Sequence, residues 1–127
     1  MTKCNHILAI IAWVSVCVAL ASKTESAMGI LFFVPFTLGP HAVSHWLCFR
    51  LQSRWAAILL GIGMLAYMSW FFFVYIDVFY VHIDAQGPIA LLFVGIFSLP
   101  VMIPVWLGTL ALERSAKVKG EKAAAAE

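Results

Sequence analysis

Four apolar runs separated by short polar breaks constrain this chain more than any other feature. They extend from Ile7 to Ala21, Ala27 to Phe49, Trp55 to Ile76 and Pro88 to Leu112, and none contains a Lys, Arg, Asp or Glu. A helix rises about 1.5 Å per residue and the hydrocarbon core of a bilayer is about 30 Å thick, so roughly 17–25 apolar residues make one crossing. The second, third and fourth runs meet that length, and the first falls slightly short. Water is a poor solvent for such a chain. It is 64% hydrophobic and 11% charged, against roughly 45–50% and about 25% in a soluble domain. A domain of this size leaves about a third of its surface exposed, too much for that composition. A soluble globular enzyme, a disordered tail, a disulfide miniprotein and a nucleic-acid-binding domain are excluded. The expected architecture is an all-α integral membrane protein: one domain over 1–127, a four-transmembrane-helix bundle with a tail at 113–127.

Charge orients the bundle. With four spans, the N-terminus, the second connection and the tail share a side, and they carry Lys3, Arg50, Arg54, Arg114, Lys117, Lys119 and Lys122. Lys23 alone falls on the other side, so seven of eight basic residues lie together. The positive-inside rule then predicts both termini cytoplasmic, in a cell inner (plasma) membrane. Trp46, Phe49 and Trp55 flank the Arg50/Arg54 turn, and Trp70 to Phe73, Tyr75, Phe79 and Tyr80 crowd the opposite interface. Aromatic rings favour both headgroup levels. Arg50, Arg54 and Arg114 are candidate lipid-headgroup contacts, worth about 1 kcal/mol each near an anionic surface. The tail reads as a solvated helical extension. Ala19-Leu20-Ala21 before Ser22 also fits a signal-peptide cleavage site, but we take the first run as a retained, short span. Cys4, Cys17 and Cys48 lie on the cytoplasmic side or within the membrane, where structural disulfides are not expected.

Polar chemistry within or beside the spans falls in a few places. His41, His45 and Cys48 stand at i, i+4 and i+7 after Pro40, on one helical face. Cys4 and His6 lie at the same depth on the first span. Imidazole and thiolate together suit Zn2+ or copper, so this face is a candidate metal site. His41 with His6 is the one pairing that suits a haem. The plainer interpretation has neutral histidines bonded to neighbouring helices and Cys48 packed as a small apolar residue. We prefer it, and no cofactor is expected.

The far end of the third span gathers Asp77, Tyr80, His82 and Asp84, a candidate ion or partner site at the outer mouth. If the helix continues, Asp77, Tyr80 and Asp84 share a face; if the chain is extended, Tyr80, His82 and Asp84 do. Asp84 or Gly87 also suits the cap of the fourth helix, with Pro88 in its first turn. Pro100 and Pro104 interrupt the fourth span beside Gly95, Ser98 and Gly108 and are expected to form a packed kink. Ala57 and Gly61, with Gly63 adjacent, allow a neighbouring backbone to approach closely.

The stretch Asp77-Val78-Phe79-Tyr80-Val81-His82-Ile83-Asp84-Ala85-Gln86-Gly87 resembles a group of small, uncharacterised four-span bacterial inner-membrane proteins that carry an aromatic-acidic D-A-Q loop before the last helix. In size and topology the chain is also similar to immunity proteins against pore-forming toxins. No P-loop, nucleophile elbow, dinucleotide fingerprint or zinc-helix motif is present, so catalysis is not expected. Three functions fit. The first, which we favour, is a non-catalytic protein that acts through its helices on another membrane protein or on itself, as an accessory subunit or a toxin-immunity protein. The second is an oligomeric ion or proton pathway through the outer acidic-His loop. The third is a metal or haem binder at the cytoplasmic leaflet. The bilayer is the common partner, and nucleic acid is not one.

Overall fold

The computed structural model describes residues 2–23, 27–82 and 87–125, with side chains over 5–23, 35–82 and 89–125. Four α-helices make up the fold: α1 (Thr2–Ala21), α2 (Ala27–Cys48), α3 (Arg54–Ile76) and α4 (Gly87–Ala124). No strand occurs among the described residues. The helix starts and stops follow the breaks in the apolar runs, because Ser, Gly and charged residues interrupt the pattern where the chain must turn. Among the described residues, two stretches are long and apolar enough to cross a membrane, Arg54–Val81 and Ile89–Ala124, and Asn5–Ala21 is a shorter apolar helix.

One expectation is modified. The third helix neither continues as an α-helix past Ile76 nor becomes extended. It widens into a π-helical turn over Asp77–Val81, closed by the His82 amide donating to the Asp77 carbonyl at 2.7 Å. The fourth helix runs unbroken from the apolar segment through the charged tail, so the boundary at Leu112 is one of composition and not of backbone. Pro100 and Pro104 lie inside it, as Pro35 and Pro40 lie inside α2.

α4 packs most extensively on α3 and next on α2, while α1 lies against α2 and α3. Two apolar clusters fill the interior. One joins Val16, Leu38, Tyr67, Phe71, Leu91 and Met102, and the other joins Ala9, Leu47, Cys48, Leu60 and Met64. Trp106 touches both, and its indole Nε1–H donates to Ser44 Oγ at 2.9 Å. A large ring with one polar edge can therefore tie the two clusters and α2 together.

Small residues act differently from their sequence pattern. The notch at Ala57 and Gly61 admits a side chain, not a backbone: Asn5 Nδ2 donates to the Ala57 carbonyl at 2.7 Å, and Asn5 Oδ1 lies against Gly61. The close backbone approach occurs at Gly95. A Cβ there would overlap the Phe36 carbonyl oxygen, one turn before Pro40, the residue whose missing N–H would otherwise point to that oxygen. Neither backbone can retreat without separating α2 from α4.

This contact predicts that Gly95→Ala lowers stability by about 1–3 kcal/mol, the usual cost of overpacking. Gly39→Ala, where a Cβ meets nothing within 4 Å, should be neutral or stabilising by up to about 1 kcal/mol through helix propensity. Unfolding by graded SDS titration checks both. Equal effects at the two glycines would show that the Gly95 contact does not matter.

Candidate functional site

α2 presents a polar stripe to the interior. Thr37, His41, Ser44 and Cys48 fall at i, i+4, i+7 and i+11 and are all buried. Each of the first three links α2 to a different point of the fold. Tyr67 of α3 donates its hydroxyl to the Thr37 carbonyl, and Thr37 Oγ1 donates to the Leu91 carbonyl of α4 at 3.4 Å. His41 Nε2 lies 3.2 Å from the Ala9 carbonyl of α1. Because a carbonyl only accepts, Nε2 carries the proton, which makes Nδ1 the lone-pair nitrogen of a neutral ring. That Nδ1 is buried without a hydrogen-bond partner among the described residues. Ser44 bonds back to the Pro40 carbonyl at 2.9 Å and receives Trp106.

The metal candidates separate accordingly. His41 is committed to α1 and lies face to face with Tyr67, ring centres 6.4 Å apart. Cys48 packs in the apolar cluster with Ala9 and Leu47. His45, on the flank of the stripe, meets His6 instead, with ring centres 5.6 Å apart. Among the described residues no three His, Cys, Asp or Glu come together as a metal group. The side chain of Cys4 lies outside the described residues.

At the π turn, Asp77 Oδ1 and His82 Nδ1 are 2.9 Å apart, so the carboxylate holds the proton on Nδ1 and leaves Nε2 outward. Both groups are well exposed. Tyr80 does not join them. Its ring lies under the Lys23 ammonium, 4.2 Å from the centroid, with Phe79 at 5.7 Å. Tyr75, one turn earlier, donates to the Ala19 carbonyl at 3.0 Å and contacts Ser22 Oγ. The π turn is thus pinned to the end of α1. Asp84 lies outside the described residues.

One polar residue was missed by pattern. Glu113, expected in the solvated tail, is 6% exposed. Its Oε2 accepts the backbone N–H groups of Gln52 and Ser53 at 3.0 and 2.8 Å. Ser53 begins α3 in an extended conformation, and its own hydroxyl makes no capping bond. The carboxylate therefore sits at the positive end of the α3 dipole and does from outside what a capping side chain does from within. Lys117 Nζ is 3.8 Å from Oε1, in an open cleft of about 400 Å³ lined by Gln52, Ser53, Gly120 and Glu121. The available signal was an acid at the start of α4's charged segment and a short turn needing acceptors at the matching end. Arg50, Arg54 and Arg114 are exposed at this same end, Arg50 stacked 4.4 Å from the Trp46 ring centre.

Replacing Glu113 by Ala should cost about 1.5–3 kcal/mol, the range for hydrogen bonds to a charged group. Lys117→Ala should cost less than about 1 kcal/mol, since that side chain is over half exposed. Protease sensitivity at Phe49–Ser53 should rise in Glu113→Ala and not in Lys117→Ala. Unchanged cleavage in both variants would remove the clasp as an ordering interaction. No protein-family model matches the chain, and no match was found to a curated protein or to a solved structure.

Proposed function

We propose that the chain is a four-span membrane bundle with both termini cytoplasmic, acting without catalysis through lateral helix association with another membrane protein, as an accessory subunit or of toxin-immunity type. The observation that carries the proposal is an inverted distribution of polarity. Asn5, Thr37, His41, Ser44, Ser98, Thr109 and Glu113 are buried, while Ile7, Ile11, Val18, Ile62, Phe73, Phe97, Val101 and Leu107 are exposed. Burying each of those large side chains away from water is worth about 1.5–3 kcal/mol, and a soluble monomer rarely leaves contiguous apolar patches beyond a few hundred Å². Lipid removes that cost. In lipid, polar groups find partners inside the protein, and the interhelical bonds of Asn5, Thr37, His41 and Ser44 supply them for part of this set.

Lateral association is supported by the α3–α4 face. A groove of about 300 Å³ lies there between Tyr67, Trp70, Phe97, Ser98, Val101 and Met102. Small and aromatic residues side by side suit a crossing helix, since they permit close approach and supply contact area. The ion-pathway alternative has one observation in favour, the Asp77–His82 pair. Deeper in the bundle, however, Thr37, His41 and Tyr67 bond to backbone carbonyls of neighbouring helices and Ser44 and Ser98 to carbonyls of their own, which does not make a relay from the Asp77–His82 pair.

Two readouts on one preparation test the proposal. In a background lacking Cys4, Cys17 and Cys48, a cysteine at Lys23 should react with an impermeant thiol reagent added to intact cells. A cysteine at Gly120 should react only after the membrane is opened. Purification of the intact chain in mild detergent should bring one membrane protein in near-equal amount, and Phe97→Ala should reduce its recovery. Labelling in the opposite order overturns the orientation. A partner-free monomer under conditions that preserve other membrane complexes overturns the association.

A further inference from the structure

The seam between α1 and α2 holds a second feature, independent of the association face. His6 on α1 and His45 on α2 face each other with ring centres 5.6 Å apart and planes at 59°. Phe49 closes the third side, 4.5 Å from His6 and 5.3 Å from His45. Neither imidazole makes a hydrogen bond or ion pair among the described residues. Both rings are half-buried, at the end of the helices where α2 gives way to the turn. Their unpartnered nitrogens are not among the fully buried polar atoms, so a ligand from outside the chain can reach them.

We propose that His6 and His45 together bind one late first-row divalent metal ion, Cu2+ or Zn2+, bridging α1 to α2. The separation fits the chemistry. With metal–nitrogen bonds of about 2.0–2.1 Å, two imidazoles on one ion hold their centres roughly 5 Å apart at a tetrahedral angle and roughly 6.5 Å apart when collinear. The observed 5.6 Å lies between these limits. Imidazole suits both metals, and affinity at such a site rises toward Cu2+. The chain supplies two ligands among the described residues, so water or a donor from outside this pair completes the coordination. His41 does not join the pair: no three His, Cys, Asp or Glu come together among the described residues, and its Nε2–H ties α2 to α1 whether or not an ion is bound. Cys48 is likewise excluded by its apolar surroundings.

The sequence places His6 at the same depth as the His41, His45 and Cys48 face, but spacing there makes His41 the nearest partner of His45. Only the packing of α1 on α2 selects the cross-helix pair. Such a site would lock α1 against α2 without altering the α3–α4 face.

The test uses the full chain in nanodiscs of phosphatidylethanolamine and phosphatidylglycerol, produced without a histidine tag, and titrated with Zn2+ alone and with Cu2+ alone. One ion per chain should bind, Cu2+ more tightly. His6→Gln and His45→Gln should each weaken binding by at least about tenfold, and the double variant should lose it. Cys17→Ser, which removes an exposed thiol of α1 and leaves both imidazoles and their surroundings intact, should stay within about threefold of the parent. Electron paramagnetic resonance of the Cu2+ form should show coupling to two imidazole nitrogens, reduced to one in each single variant. Absence of saturable binding, binding retained in the double variant, or a signal with fewer than two imidazoles in the unsubstituted chain overturns the proposal. The last readout needs no substitution, so a variant that fails to fold does not shield the idea.

Discussion

A polar stripe on an otherwise apolar helix organises this molecule. Thr37, His41 and Ser44 of α2 reach the other three helices through Leu91 and Trp106 of α4, Ala9 of α1 and Tyr67 of α3. Hydrogen bonds between packed helices are individually modest, about 0.5–1.5 kcal/mol each. Their importance lies in direction more than in strength. Apolar contacts between helices are equally favourable at many rotations when the surroundings are also apolar, whereas a buried hydroxyl or imidazole has one place to go. The stripe thus selects the face that α2 turns inward, and the proline at position 40 lets the Phe36 carbonyl settle on Gly95.

The two ends of the bundle are secured by different chemistry. At one end, the Glu113 carboxylate gathers the turn between α2 and α3 and so fixes where α4 leaves the apolar region. At the other, Tyr75 and the Lys23–Tyr80 contact bind the π turn to the end of α1, and Asp77 pairs with His82. A π turn places one more residue in the turn than an α-helix does and often marks a place of functional use. Here it swings His82 back over Asp77, a pairing that an unbroken α-helix would not produce at that spacing.

These contacts also relate the α3–α4 groove to the histidine pair. The groove lies where α3 and α4 meet, and the pair lies on α1 and α2. α2 contacts both sets, through His41 toward α1 and through Gly95 toward α4. α2 is thus the common neighbour of both, with its own rotation fixed by the stripe. Trp106 closes the same circuit by touching both apolar clusters.

The positions of the four helices were determined by the sequence alone, because run length, breaker residues and charge are local properties that any tertiary arrangement must respect. Observed boundaries depart from the apolar runs chiefly where charged residues prolong a helix, as in α4. The facing of each helix was not legible in that way. A helix that is apolar on every side has no hydropathic period to mark its inner side. His41 and Cys48 were correctly placed on one face, but His45 was assigned to it on spacing alone and belongs with His6. Ala57 and Gly61 were identified as a close-approach site, yet only the fold showed that Asn5 enters it. Glu113 looked like any tail carboxylate until the turn at Gln52 and Ser53 was brought against it. In each case the deciding quantity was the partner across the seam, and tertiary packing alone brings such partners together.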